Sequence, residues 1–162
     1  MLILHRATSL QLSTLLKQPK CYEIDGLILP EGEEIAPKFL LEFVVVRLSQ
    51  DPKNFFWWLP RLIVVDRSVV GTCGFKCPPD SNGTVEIGYG VVSSQQGRGF
   101  ATQAVNLLVM EGFSKREIQT IKAFTTPISS ASERVLEKNQ FTKYGNKVDP
   151  EDGEVRVWRR TR

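Results

Sequence analysis

The stretch Gln95-Gln96-Gly97-Arg98-Gly99-Phe100-Ala101 joins a strand-like run to a helical one, and its reading decides the fold. Upstream, Thr84 to Val92 has the pattern of a strand with Gly88 and Gly90 inside it. Glycines in a strand mark a bulge or a close approach by a ligand or another backbone. Downstream, from about Arg98 to Ser114, residues Ala101, Ala104, Val105, Leu108, Gly112 and Phe113 fall on one helical face. A helix that opens on such a loop leaves its first N–H groups without intrahelical partners. The helix dipole adds about half a positive charge there, Gly97 and Gly99 let the backbone approach phosphate oxygens, and Arg98 supplies a cation. There is no G-x-G-x-x-G and no Gly-Lys-Ser/Thr at this loop, which sets aside dinucleotide and P-loop readings. Taken alone, the loop fits a tight turn and helix cap as well as a phosphate cradle.

The segments around it complete an alternating pattern. Met1 to Arg6 suggests a strand, Thr8 to Lys17 a helix capped by Thr8 or Ser9, and Glu33 to Leu48 a helix. In that last helix Ile35, Phe39, Leu40, Phe43, Val44 and Leu48 share a face, although the run Val44 to Val46 leaves a strand open. Leu62 to Val65 and Val69 to Cys77 form a hairpin around Asp66-Arg67-Ser68, and Pro78 to Gly83 is a strong turn signal. Ile118 to Thr126 is a strand and Ser129 to Asn139 a helix. Phe141 to Val148 and Glu154 to Arg160 close the chain as a hairpin around Asp149-Pro150-Glu151-Asp152-Gly153. The expected fold is α/β (α+β): a mixed, mostly antiparallel sheet of about six to seven strands flanked by about four helices, with a parallel crossover made by the helix after the glycine loop. Ligands favour the carboxyl ends of strands where the order switches, and the end of Thr84–Val92 is such a point.

With 162 residues, 41% hydrophobic and 24% charged, the chain is expected to be one domain, 1–162, of ordinary globular composition. A net charge of +3 gives no drive toward nucleic acid or membrane. Three cysteines and no secretory signal favour a cytoplasmic, reducing setting. Cys73 and Cys77 lack nearby partners for zinc, and no metal is expected. The aromatic run Phe55-Phe56-Trp57-Trp58 reads as packing or as a substrate wall.

From Val85 to Phe141 the chain resembles the GNAT superfamily of acetyl-CoA-dependent N-acetyltransferases. Gln96-x-x-Gly99-x-Ala101 matches that superfamily's Gln/Arg-x-x-Gly-x-Gly/Ala signature, Glu86-Ile87-Gly88-Tyr89 looks like its preceding strand, and Ser132-Glu133-Arg134-Val135-Leu136-Glu137-Lys138 resembles the following helix. That last segment is closest in style to the branch that acetylates the N-termini of ribosomal proteins. The resemblance implies acetyl-CoA as co-substrate, with pyrophosphate on the N–H groups of Gly97, Arg98, Gly99, Phe100 and Ala101 beside Gln96. It also implies a pantetheine arm paired against Val91 and Val92, with Ser129 bonding a cofactor amide. The chain departs from the family in having Ser129 for Asn, Gln140 for Gly and Leu136 where Tyr is frequent.

Acyl transfer to nitrogen requires a neutral amine, and α-amino and lysine groups have pKa values near ~8 and ~10.4, so a base is needed. Glu86 is the candidate, with a solvent-facing strand carboxylate as the competing reading. A backbone N–H at Val91 or Val92 would hold the oxyanion, and Ser132 or Tyr144 is the candidate acid for the departing thiolate. The expected activity is acetyl transfer to a primary amine, a protein N-terminus or a small molecule, by direct attack on the thioester. The other reading is a non-catalytic acyl-CoA-binding sensor. The oligomeric state is expected to be monomer or homodimer.

Overall fold

In a computed structural model, residues 1–18, 21–150 and 153–162 are described. Nine strands and five α-helices lie among them, more than the sequence suggested because several are very short. The N-terminal strand β1 (Leu2–Arg6) leads into α1 (Ser9–Lys17), whose N-cap Thr8 forms a capping box with Gln11. Two-residue strands β2 (Glu23–Ile24) and β3 (Leu27–Ile28) follow, joined by Asp25 and Gly26 at positive φ. Next come α2 (Lys38–Gln50), the one-turn α3 (Phe55–Trp58), and the hairpin β4 (Arg61–Val65) and β5 (Ser68–Phe75). Asp66 and Arg67 both take φ near +50° to +70°, the geometry of a two-residue hairpin turn made here without glycine. Strand β6 (Thr84–Val91), α4 (Phe100–Phe113), β7 (Thr120–Thr125), α5 (Ser130–Lys138), β8 (Thr142–Asp149) and β9 (Gly153–Thr161) complete the chain. Of the tip expected to close the last hairpin, Glu151 and Asp152 lie outside the described residues.

The sheet order is β1-β4-β5-β6-β7-β9-β8, with the β2–β3 pair attached beside β5. The helix after the glycine loop does make the expected parallel crossover, since β6 and β7 run parallel with α4 between them. Helices α4 and α5 cover one face, where Leu108 and Leu136 pack with Val85, Ile87, Ile121, Ala123 and Trp158. On the other face α1 and α2 bury Leu12, Leu15, Leu41 and Val44 against Leu62, Val64 and Val69 of β4 and β5. That second layer reaches β6 only at its end, through Val92, and takes no residue from β7, β9 or β8, so on this side the rest of the sheet lies beyond these two helices among the described residues.

The helix expected from Glu33 starts later and turns differently. Pro37 is its N-cap, and a proline disfavours helical backbone at the preceding Ala36, so the chain cannot wind from Glu33. Ile35 is buried in the lead-in, and the inward face is Leu41 and Val44. Phe39 and Phe43, expected to face the sheet, are 69% and 42% exposed. None of the described helices is long and apolar enough to cross a membrane.

Candidate functional site

The site begins where β6 and β7 part. Their parallel pairing runs from Thr84↔Thr120 to Glu86↔Lys122 and stops, while β7 goes on pairing with β9 as far as Thr125↔Arg156. On its other side β6 stays in unbroken register with β5 from Phe75↔Ile87 to Gly71↔Val91. Of the two readings of Gly88 and Gly90, a bulge does not form in the β5 ladder, while a close backbone approach is present at Gly90; the opening is a splay between β6 and β7. Gly71 makes the tight β5–β6 contact possible, because a Cβ there would lie 2.1 Å from the Gly90 carbonyl oxygen.

Backbone alternation says which groups face the gap. Lys76 N donates to Glu86 O at 2.8 Å and Val92 N to Val70 O at 3.0 Å, both toward β5. Groups at Glu86, Gly88, Gly90 and Val92 thus turn toward β5, and those of Ile87, Tyr89 and Val91 toward the gap. Of the two candidate oxyanion donors, Val92 has its N–H committed to Val70, which leaves Val91. The Val91 carbonyl accepts from Gln96 Nε2 at 3.0 Å.

The glycine loop follows directly. A 3-10 turn over Ser93–Gln95 is followed by Gln96, then by Gly97 and Gly99 at φ +75° and +79°, with Gly99 as the N-cap of α4. No side chain caps this end, and a Cβ added at either glycine meets nothing within 4 Å. The result is an uncapped helix start at Phe100 and Ala101, led into by the exposed Gly97, Arg98 and Gly99 beside open space. Arg98 bonds Gln95 and lies over the Phe100 ring at 4.9 Å. Glu33, a residue the sequence did not single out, accepts from Ser94 N at 3.3 Å, and hydrogen bonding from the Ser94 side chain above all, with a smaller part from the backbone, holds its exposed carboxyl below the ordinary range.

Across the gap, Ser129 is the N-cap of α5, and its hydroxyl pairs with Thr126 at 2.7 Å. Tyr89 links the two sides: its hydroxyl donates to the Ser132 carbonyl at 3.1 Å, and burial pushes the phenol well up, against a smaller opposing effect of that bond. Ser132 is thereby brought to the splay. Tyr144 is not; it stands on β8, three strands from β6, about 14 Å away at ordinary strand spacing. Leu136 is wholly buried in the core. At the end of α5, Gln140 takes φ +61° while Phe141 N bonds Leu136 O; this left-handed cap is the reason glycine suits the position.

Glu86 points to the face without helices. Its carboxylate lies 2.8 Å from Lys76 Nζ and 4.0 Å from Lys122 Nζ, with its side chain 13% exposed. The Lys76 stem passes over Gly88, where a Cβ would lie 3.3 Å from Lys76 Cε. These lysines are not legible as a constellation in the sequence; only strand register brings them together. Among the described residues no cluster of His, Cys, Asp or Glu could hold a metal ion.

A family model described as the acetyltransferase (GNAT) domain matches residues 11–142. The chain is 36% identical over 89 residues to the uncharacterized N-acetyltransferase p20 of Bacillus licheniformis, across 55% of this chain and 50% of that protein. It is 30% identical over 98 residues to the uncharacterized N-acetyltransferase YoaA of Bacillus subtilis (strain 168), across 60% of this chain and 54% of that one. The chain thus spans about half the length of the curated relatives it matches. Among solved structures, the aminoglycoside acetyltransferase AAC(6')-Ib with coenzyme A superposes with a TM-score of 0.72 at 19% identity, covering 100% of this chain and 95% of that one. RimL, a ribosomal L7/L12 alpha-N-protein acetyltransferase in complex with coenzyme A, gives 0.70 at 19%, covering 99% and 93%. At such identities the likeness is one of fold.

Proposed function

Since the chain belongs to the GNAT acetyltransferase family, we propose that it moves an acetyl group from acetyl-CoA to a primary amine by direct attack on the thioester. The observation that carries this reading is the splay of β6 from β7 immediately after Glu86, ending at the uncapped glycine loop. The N–H groups from Gly97 to Ala101 take the pyrophosphate, helped by the dipole of α4. Gln96 fixes the loop to Val91, and the pantetheine amides pair with the gap-facing backbone of β6 near Val91, with Ser129 opposite. Coenzyme A in AAC(6')-Ib and RimL supports this choice of co-substrate.

In the transfer step the amine nitrogen forms a bond to the thioester carbon, its proton passes to Glu86, and the C–S bond breaks to release CoA thiolate. The Lys76 ammonium leaves Glu86 as the acceptor arrives. Of the gap-facing N–H groups, those of Ile87 and Tyr89 lie within about 10 Å of Glu86 along β6, and that of Val91 about 16 Å away at ordinary strand rise. The oxyanion donor, worth about 3 kcal/mol in comparable sites, therefore comes from the nearer pair, while Val91 serves the pantetheine arm. Thiols titrate near ~8.5, so the departing thiolate needs little acid; Ser132, beside Tyr89, is the nearer of the two candidates, and Tyr144 takes no part.

Calorimetry with acetyl-CoA, followed by thiol release with amines, tests this. Binding is expected, and Glu86→Gln should lower kcat by about 10²–10⁴ with acetyl-CoA affinity kept. Absence of binding sinks the reading. One observation favours the sensor alternative: Leu136 is fully buried where the family often has Tyr, so it offers no proton. That alternative predicts binding without turnover, and no effect of Glu86→Gln.

A further inference from the structure

The helix-free face of the sheet carries a row of charges, one per strand. Lys76 follows β5, Glu86 lies on β6, Lys122 opposite it on β7, and Arg159 opposite Lys122 on β9. Residues directly opposite across strands share a face, and the contacts of Glu86 with both lysines agree with that. The Arg159 guanidinium stacks on the Tyr144 ring at 3.5 Å, and its Nε is buried with no hydrogen-bond partner among the described residues. Farther along this face, Lys147 sits over the Phe124 ring at 3.8 Å and pairs with Asp149 at 3.2 Å. In the row itself, three cations stand beside one carboxylate.

The pair Lys76 and Glu86 already shows how an ammonium sits on this carboxylate, at 2.8 Å. An acceptor amine that takes that position leaves Lys122 with only the more distant Asp80, itself bonded to Asn82 N and Thr84 N, and leaves Arg159 with no carboxylate in contact among the described residues. A polycationic amine would bring still more positive charge to them, at a cost in encounter rate and affinity. We propose that the acceptor carries its own carboxylate: an amine, such as a peptide N-terminus followed by acidic residues, whose nitrogen sits on Glu86 while its carboxylate reaches Lys122 and Arg159. Strand spacing places these cations about 5 and 10 Å from Glu86, the reach of an acidic side chain one or two residues beyond the N-terminus. This rests on the acetyl-transfer reading above and names the substrate class for it.

The experiment is a kcat/KM comparison, by thiol release from acetyl-CoA, of three acceptors: the C-terminally amidated peptides Ser-Asp-Glu-Ala and Ser-Lys-Lys-Ala, and spermidine. The acidic peptide should be preferred by about tenfold or more at low salt, and the preference should narrow as salt rises. Lys122→Glu should cancel or invert the ratio, and the milder Arg159→Gln should reduce it. Because the readout is a ratio on one preparation, a partly unfolded variant does not distort it. Equal or better use of the basic peptide or of spermidine overturns the proposal, as does a ratio unmoved by both variants. If none of the three is acetylated while glycinamide or another amine with no charge beside it is, the acidic class is wrong and transfer stands. If no amine is acetylated at all, the transfer reading falls and takes this one with it.

Discussion

Gly99→Ala separates the backbone role of the loop from its role toward a ligand. Gly99 holds φ +79° at the N-cap of α4, and a Cβ there meets nothing within 4 Å. Strain is therefore the whole structural cost, about 1–2 kcal/mol for placing an L side chain in the left-handed region. For a chain of this size that is a fall in Tm of about 2–8 °C. If phosphate oxygens approach this backbone, the new methyl occupies their space, and one lost hydrogen bond to a charged group costs about 1.5–3 kcal/mol, or roughly 10- to 150-fold in affinity for acetyl-CoA. Gly153→Ala is the matched control, because Gly153 has φ +71° and equally open surroundings at the far end of the β8–β9 hairpin. Both variants should melt at similarly reduced temperatures in a thermal scan, but only Gly99→Ala should lose acetyl-CoA affinity by calorimetry. Equal melting shifts with unchanged affinity in both would refute the phosphate cradle.

Two further tests address what holds the site together. Arg61 is wholly buried and bonds Glu111 Oε2 at 3.0 Å, while Arg6 bonds the other oxygen at 2.6 Å, tying α4 to β4 and β1; Glu111→Gln should cost about 3–5 kcal/mol in urea unfolding by leaving Arg61 uncompensated. Burial acts to raise the Glu111 carboxyl, but bonds and charge from Arg61 and Arg6 outweigh it and hold it below the ordinary 4.5. The stability it contributes is therefore complete above that value and is lost as pH falls through the lower folded value, an acid-side slope that Glu111→Gln should lack. Tyr89→Phe keeps the ring and removes the bond to the Ser132 carbonyl, so stability should fall by about 0.5–1.5 kcal/mol, with weaker acetyl-CoA binding if this bond holds α5 beside the gap. Unchanged affinity would mean that Tyr89 only packs.

What the sequence made legible is mostly local. The face of α4, with Ala104, Val105, Leu108 and Gly112 buried, follows from periodicity, and the Thr8 cap and the glycine loop follow from backbone chemistry within a few residues. The register of α2 was harder, because Pro37 overrides the apolar spacing that began at Glu33 and leaves Phe39 outside. Strands of two residues, such as β2 and β3, are too short to carry an alternation. Val92 illustrates a finer limit: its place at the end of β6 was readable, but whether its N–H faces β5 or the gap depends on ladder parity, which the bond to Val70 fixes.

The two halves of the site differ for the same reason. The proposed carrier side is built from consecutive residues, Gln96 to Ala101, whose backbone geometry belongs to one loop. The proposed acceptor side is built from Lys76, Glu86, Lys122 and Arg159, scattered along the chain and aligned only by the pairing of β6, β7 and β9. Glu86 belongs to both. It is the last β6 residue paired with β7, so its backbone ends the ladder and begins the splay. Its side chain meanwhile turns to the helix-free face, against Lys76 and Lys122. A carboxylate at that vertex stands beside the backbone that opens into the splay and on the face where the acceptor amine is proposed to sit. Moving it by one residue along the strand would send it to the other face of the sheet, among Val85 and Ile87 in the core. The position therefore tolerates little shift, and the chemistry of the acceptor is read from what surrounds this one residue.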